Sequence, residues 1–122
     1  MKPEAAAQWH PVARIGEVRP GDVIAIAIGD RQLVLGLDGD RYFVTQRQCA
    51  HRNADLADGI VARGHLICPL HGYRFSTLTG RAPSVPGGAS QPASEYCLAT
   101  YAVRVVGDQI EVDPRPQPRS TE

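Results

Sequence analysis

Cys49-Ala50-His51 and Cys68-Pro69-Leu70-His71 form two short boxes, with sixteen residues between His51 and Cys68. Each box offers one thiolate and one imidazole, and both groups are ligands for transition metals. Brought together, they make a Cys2His2 donor set able to hold a metal centre. Structural zinc is the plainest alternative, since two cysteines and two histidines also satisfy a tetrahedral site. Zinc sites, however, ordinarily pair the cysteines in one knuckle and the histidines in another, whereas each box here is mixed. Catalysis by a thiol fits less well. Both cysteines stand two or three residues from an imidazole, with Ala50 or Pro69 between, an arrangement that suits ligation.

The surrounding residues carry more than the ligand types. The first segment runs Cys-Ala-His-Arg-Asn-Ala-Asp-Leu-Ala-Asp-Gly from Cys49, and the second Cys-Pro-Leu-His-Gly-Tyr-Arg-Phe-Ser-Thr-Leu-Thr-Gly from Cys68. Both resemble the Rieske pattern: Cys-x-His with a Leu and a Gly further on, then Cys-Pro-x-His-Gly, an aromatic residue and Thr-Gly. The tail, with Pro86 in a loop and then Tyr101 to Val105 and Gly107 to Val112, resembles that of bacterial Rieske-type ferredoxins. The resemblance spans roughly Trp9 to Asp113. It implies a Rieske [2Fe-2S] cluster, one per chain, with Cys49 and Cys68 on one iron and His51 and His71 on the other. It also implies that Pro86 belongs to a loop covering the cluster as a third wall.

The same resemblance selects a branch. Rieske proteins of cytochrome bc complexes join their two loops by a disulfide, and the matching positions here hold Ala54 and Leu70. Those high-potential members also place a serine hydroxyl after the His-Gly pair and a tyrosine hydroxyl two residues later, where this chain has Tyr73 and Phe75. Lacking those donors to the reduced cluster, this centre is expected near the bottom of the Rieske range of about −150 to +300 mV. A low potential suits a flavoprotein donor. The expected function is therefore electron carriage, with no catalysis of its own, from an NAD(P)H-dependent flavin reductase to a terminal Rieske oxygenase. Large oxygenase subunits would also need a mononuclear iron site of two histidines and a carboxylate, and only His10 and His65 remain here. Two alternatives stay open: the small subunit of an NAD(P)H nitrite reductase, and a zinc-stabilised interaction module.

Composition agrees with a small soluble carrier. The 122 residues are 43% hydrophobic and 21% charged, ordinary globular material for one domain. Thirteen basic residues balance thirteen acidic ones, which favours neither nucleic acid nor an anionic membrane. The start, Met1-Lys2-Pro3-Glu4-Ala5-Ala6-Ala7, falls short of a signal peptide's apolar region, so a cytoplasmic protein is expected; a monomer is expected as well. With two of three cysteines assigned to iron, only Cys97 remains and no intramolecular disulfide is available.

Strand signals dominate the rest. Val23 to Ile28 is rich in β-branched residues, breaks at Gly29-Asp30 and is followed by Gln32 to Leu37, which reads as a hairpin. Asp38-Gly39 turns the chain into Tyr42 to Thr45. Leu98 to Val106 and Gln109 to Val112 pair across Gly107-Asp108, and Trp9 to Ile15 reads as an opening strand. The expected class is all-β: antiparallel strands in small stacked sheets, with the cluster held by two loops. Residues 1–8 are expected as a flexible N-terminus, 9–113 as the domain and 114–122 as a disordered, proline-rich tail. The Pro/Gly/Ser-rich stretch 81–95 reads as a connector, longer after Pro86 than in typical Rieske ferredoxins. Cys97 reads as a packing residue, His65 as a solvated turn residue, and His10 as a residue without a nearby partner. Asp55 and Asp58 read as turn formers around Leu56, which is expected in the core beneath the first loop.

Overall fold

The computed structural model describes residues 8–49, 54–69, 73–81 and 97–117. Among the described residues, nine strands form two antiparallel sheets, with one 3-10 turn between the fourth and fifth strands. The strands are β1 (His10–Arg14), β2 (Val23–Ile28), β3 (Arg31–Asp38), β4 (Arg41–Gln46), β5 (Ile60–Ala62), β6 (His65–Ile67), β7 (Arg74–Ser76), β8 (Thr100–Val106) and β9 (Gln109–Pro116). The larger sheet has the order β1-β9-β8-β4-β3-β2, the smaller β5-β6-β7. The all-β expectation holds.

The apolar runs explain the layering. Strand β3 is buried over Leu33 to Leu37 because both of its faces are covered. Leu33, Leu35 and Leu37 pack with Ile26, Val44, Tyr101, Ile110 and Val112 on one side of the large sheet. Val34 and, from β4, Phe43 point the other way, into a second apolar cluster with Val61, Leu66 and Phe75 of the small sheet. The β3–β4 pair is thus the wall shared by both cores. A polar latch joins the sheets at one end: the Thr77 hydroxyl donates to Asp38 Oδ2 at 2.8 Å, and Arg41 donates to the same hydroxyl oxygen. The Thr77 backbone N–H donates to the Gly64 carbonyl at 3.0 Å.

Several details differ from the sequence reading. The β3–β4 turn sits one residue later, at Gly39-Asp40, since Asp38 pairs with Arg41. Gly39, at φ +65°, supplies the left-handed residue that the tight turn requires. His65 is not a turn residue: it opens β6, half-buried, with Nδ1 2.9 Å from the Arg63 carbonyl. Strand β9 runs through Pro114, Arg115 and Pro116, which were expected in the tail, while residues 118–122 lie outside the described residues. The prolines are tolerated because β1 begins at His10, opposite Val112, so no β1 strand accompanies β9 beyond that point. Asp113, buried there, accepts from the Arg115 guanidinium at 2.9 Å and from its backbone N–H at 3.0 Å.

Candidate metal centre

Both cysteines sit where a strand gives way to a loop, and the two loops are closed in the same way. After β4 the chain continues as a narrow arm: the Leu56 N–H donates to the Arg47 carbonyl at 2.8 Å, Gln48 bridges Asp55, and the Cys49 N–H donates to the Ala54 carbonyl at 2.9 Å. In the small sheet, Cys68 directly follows β6, and its N–H donates to the Tyr73 carbonyl at 2.8 Å, one step beyond the Ile67–Arg74 pair. Each cysteine therefore binds the carbonyl five residues ahead. His51 falls in the first enclosed segment and His71 in the second, and both lie outside the described residues, as do Leu70 and Pro86.

The thiols face one interior. Cys49 is 4% exposed and Cys68 1%, and both belong to a single apolar cluster with Leu56, Leu66, Tyr73, Phe75 and Leu98. Leu56 lies beneath the first loop, as expected. Tyr73 and Phe75 stack with ring centroids 6.5 Å apart, and Phe75 is fully buried. Two glycine-free loops could not approach so closely: a Cβ on Gly59 would stand 2.4 Å from the Ile67 carbonyl oxygen. That approach sets the return limb of the first loop against the residue preceding Cys68.

A charged clasp holds the base of the first loop. Arg47 Nε donates to Asp55 Oδ1 at 2.9 Å and Nη2 to Oδ2 at 2.8 Å, a bidentate pair. Asp55 Oδ1 also accepts from the Ala57 N–H at 2.9 Å, capping the 3-10 turn Leu56–Asp58. The Arg47 hydrogen bonds, then the Ala57 N–H, hold the Asp55 carboxyl below its ordinary range, and the same pairing raises Arg47. Asp55 is thus a turn former, as read, and its charge is engaged within the chain. The partnership with Arg47 had no local signal, because residues eight apart meet only once the arm folds back on itself.

The remaining candidates lie elsewhere. Cys97 is half-buried, its sulfur 3.9 Å from the Thr79 carbonyl and 3.8 Å from that of Leu98. It pairs with Arg81, so the stretch 82–96, itself outside the described residues, starts and ends at one bridge. His65 is at the opposite end of β6 from Cys68. His10, expected without a partner, lies close enough to Asp113 to help lower its carboxyl, behind the larger effect of Arg115.

Two buried thiols converging from matched loops, each two or three residues from a histidine in sequence, suit an iron–sulfur donor set. The comparisons agree. The chain is 29% identical over 113 residues to the anthranilate 1,2-dioxygenase ferredoxin subunit of Burkholderia cepacia, covering 93% of this chain and 98% of that one. It superposes on the ferredoxin of carbazole 1,9a-dioxygenase from Nocardioides aromaticivorans IC177 with a TM-score of 0.76 and 26% identity, covering 89% and 100% of the two chains. On Pseudomonas putida CBB5 NdmA the TM-score is 0.77 and the identity 28%, but the chain spans only 33% of that protein. The Rieske [2Fe-2S] domain model, which implies a Rieske-type [2Fe-2S] cluster, matches residues 8–102. Matched loops, converging thiols and that match together place the chain in the Rieske [2Fe-2S] domain family.

Proposed function

We propose that this protein is a cytoplasmic, monomeric one-electron carrier serving a terminal oxygenase, reduced by an NAD(P)H-dependent flavin reductase. Cys49 and Cys68 would hold one iron of the cluster and His51 and His71 the other, with residues 9–113 as the working unit. Coverage carries the reading: the chain matches ferredoxin components over nearly their whole length, including 95% of the naphthalene 1,2-dioxygenase ferredoxin of Pseudomonas aeruginosa. The relatives' names favour this over a nitrite reductase subunit, and the cluster implied by the family disfavours a zinc module.

When bound, the cluster stores one electron at a potential that protein polarity tunes. Everything else falls to the chain. The thiols of Cys49 and Cys68 give up their protons on ligation. Leu56, Leu66, Phe75 and Leu98, all 2% exposed or less, keep water from the thiol side. Phe75 offers no hydroxyl to a sulfur, so reduction gains no hydrogen bond there and the potential stays low.

Reconstitution tests the proposal. NADH, candidate flavin reductases and candidate oxygenases are combined with and without the purified protein, and substrate oxidation is followed. Product formation that depends on this protein is expected. A protein that takes no electron from any reductase, or that loads zinc and no iron, would refute it.

A further inference from the structure

We propose that Arg47 and Asp55 are positioning residues for the centre: their ion pair clasps the base of the first cysteine loop and slows release of the cluster held there. This rests on Cys49 being a ligand, the assignment proposed above.

The two loops are supported unequally. Cys68 stands at the tip of the β6–β7 hairpin, whose Leu66 and Phe75 are fully buried. Cys49 stands at the end of an arm that leaves the large sheet after Gln46, closed among the described residues by the two backbone hydrogen bonds of one bridge, Gln48–Asp55. Short segments with few such bonds open locally far more often than the domain unfolds. Arg47 counters that opening by linking three elements. It holds Asp55 bidentately across the arm, Asp55 caps the 3-10 turn through Ala57, and Arg47 Nη1 donates to Gln32 Oε1 of β3 at 3.0 Å. The pair is about one-third exposed on each side, so it adds little to global stability. Its effect falls on the local equilibrium through which the first loop would let go of iron.

Charge gives a second signature. With both partners present the pair is neutral beside a centre that gains one negative charge on reduction. Removing Arg47 leaves the Asp55 carboxylate uncompensated and disfavours the reduced state. Removing Asp55 leaves a lone guanidinium and favours it.

The test uses purified holoprotein challenged with an iron chelator while visible absorbance is followed, together with redox titration. The variants are Arg47→Ala, Asp55→Ser, which keeps a capping acceptor for Ala57, and the exchange Arg47→Asp with Asp55→Arg. Each single change should speed cluster loss about five-fold at low salt, and less at high salt. Arg47→Ala should lower the potential and Asp55→Ser raise it, and the exchange should recover most of the lifetime. Should Arg47→Ala not fold, Arg47→Lys keeps the charge without the fork and should release at an intermediate rate. Lifetimes within two-fold of wild type, or potentials moving in one direction for both single changes, would overturn the clasp. Cys49→Ala serves as the control: a cluster retained there removes the ligand assignment itself, whereas wild-type-like lifetimes in the clasp variants alone leave that assignment standing.

Discussion

At the scale of single residues, Phe75 and Tyr73 are where the proposed low potential can be tested. Both rings belong to the cluster of buried apolar residues that contains the two thiols, and Phe75 is completely enclosed. The double change Tyr73→Ser with Phe75→Tyr introduces the two hydroxyls that high-potential relatives aim at sulfur. At about 1 kcal/mol per hydrogen bond gained on reduction, each should raise a one-electron potential by about 40 mV in redox titration. Phe75→Tyr alone should give about half of that rise. Asp113 offers a test of electrostatics away from the centre. Its folded carboxyl lies below the ordinary 3.8, so its stabilising contribution is present above that value and is lost as pH falls through the folded one. Asp113→Asn cannot titrate. Its melting temperature should therefore fall less between pH 6 and pH 3 than that of the wild type, measured by circular dichroism; equal falls would show that the Arg115 pairing contributes nothing. These residues were legible in unequal degree. The cysteines, Leu56 and the Tyr73/Phe75 positions stood out in the sequence, whereas the pairing of Asp113 with Arg115 did not, because Arg115 falls in the expected tail.

Among the elements, the longer strands announced themselves and the short ones did not. Val23 to Ile28 and Leu33 to Leu37 are dense enough in apolar and β-branched residues to be read directly. Strands β5, β6 and β7 have three residues each, too few to display a period, so the small sheet that carries Cys68 was not visible. Neither was the latch of Asp38, Arg41 and Thr77, because Thr77 is far in sequence from the turn that carries the other two. Gly59 shows how an element depends on one missing methyl group. Gly59→Ala would drive a Cβ into the Ile67 carbonyl, and backbone cannot yield as a flexible side chain can. Separation of the loops by the shift needed should cost on the order of 1–3 kcal/mol and reduce the iron content of purified protein. Chemical unfolding and iron analysis check both, and unchanged values would mean that the loops do not need this approach.

For the whole molecule, the β3–β4 wall serves two cores at once, which is how a short chain keeps one core for stability and gives the other to the two thiols. That division predicts selective damage. Cys49→Ala, Cys68→Ala, His51→Ala and His71→Ala should each abolish or badly impair cluster assembly, while Cys97→Ser, half-buried and outside that core, should leave it intact. Iron and sulfide analysis of the purified variants reads the outcome, and loss of the cluster in the Cys97 variant would show that the wrong cysteines were assigned. Pulsed electron paramagnetic resonance on the reduced protein examines the centre most directly, because it counts unpaired electrons and identifies their ligands together. A centre held by Cys49, His51, Cys68 and His71 should give one unpaired electron per chain, coupled to two imidazole nitrogens. A silent protein, or a signal with no nitrogen coupling, would contradict it.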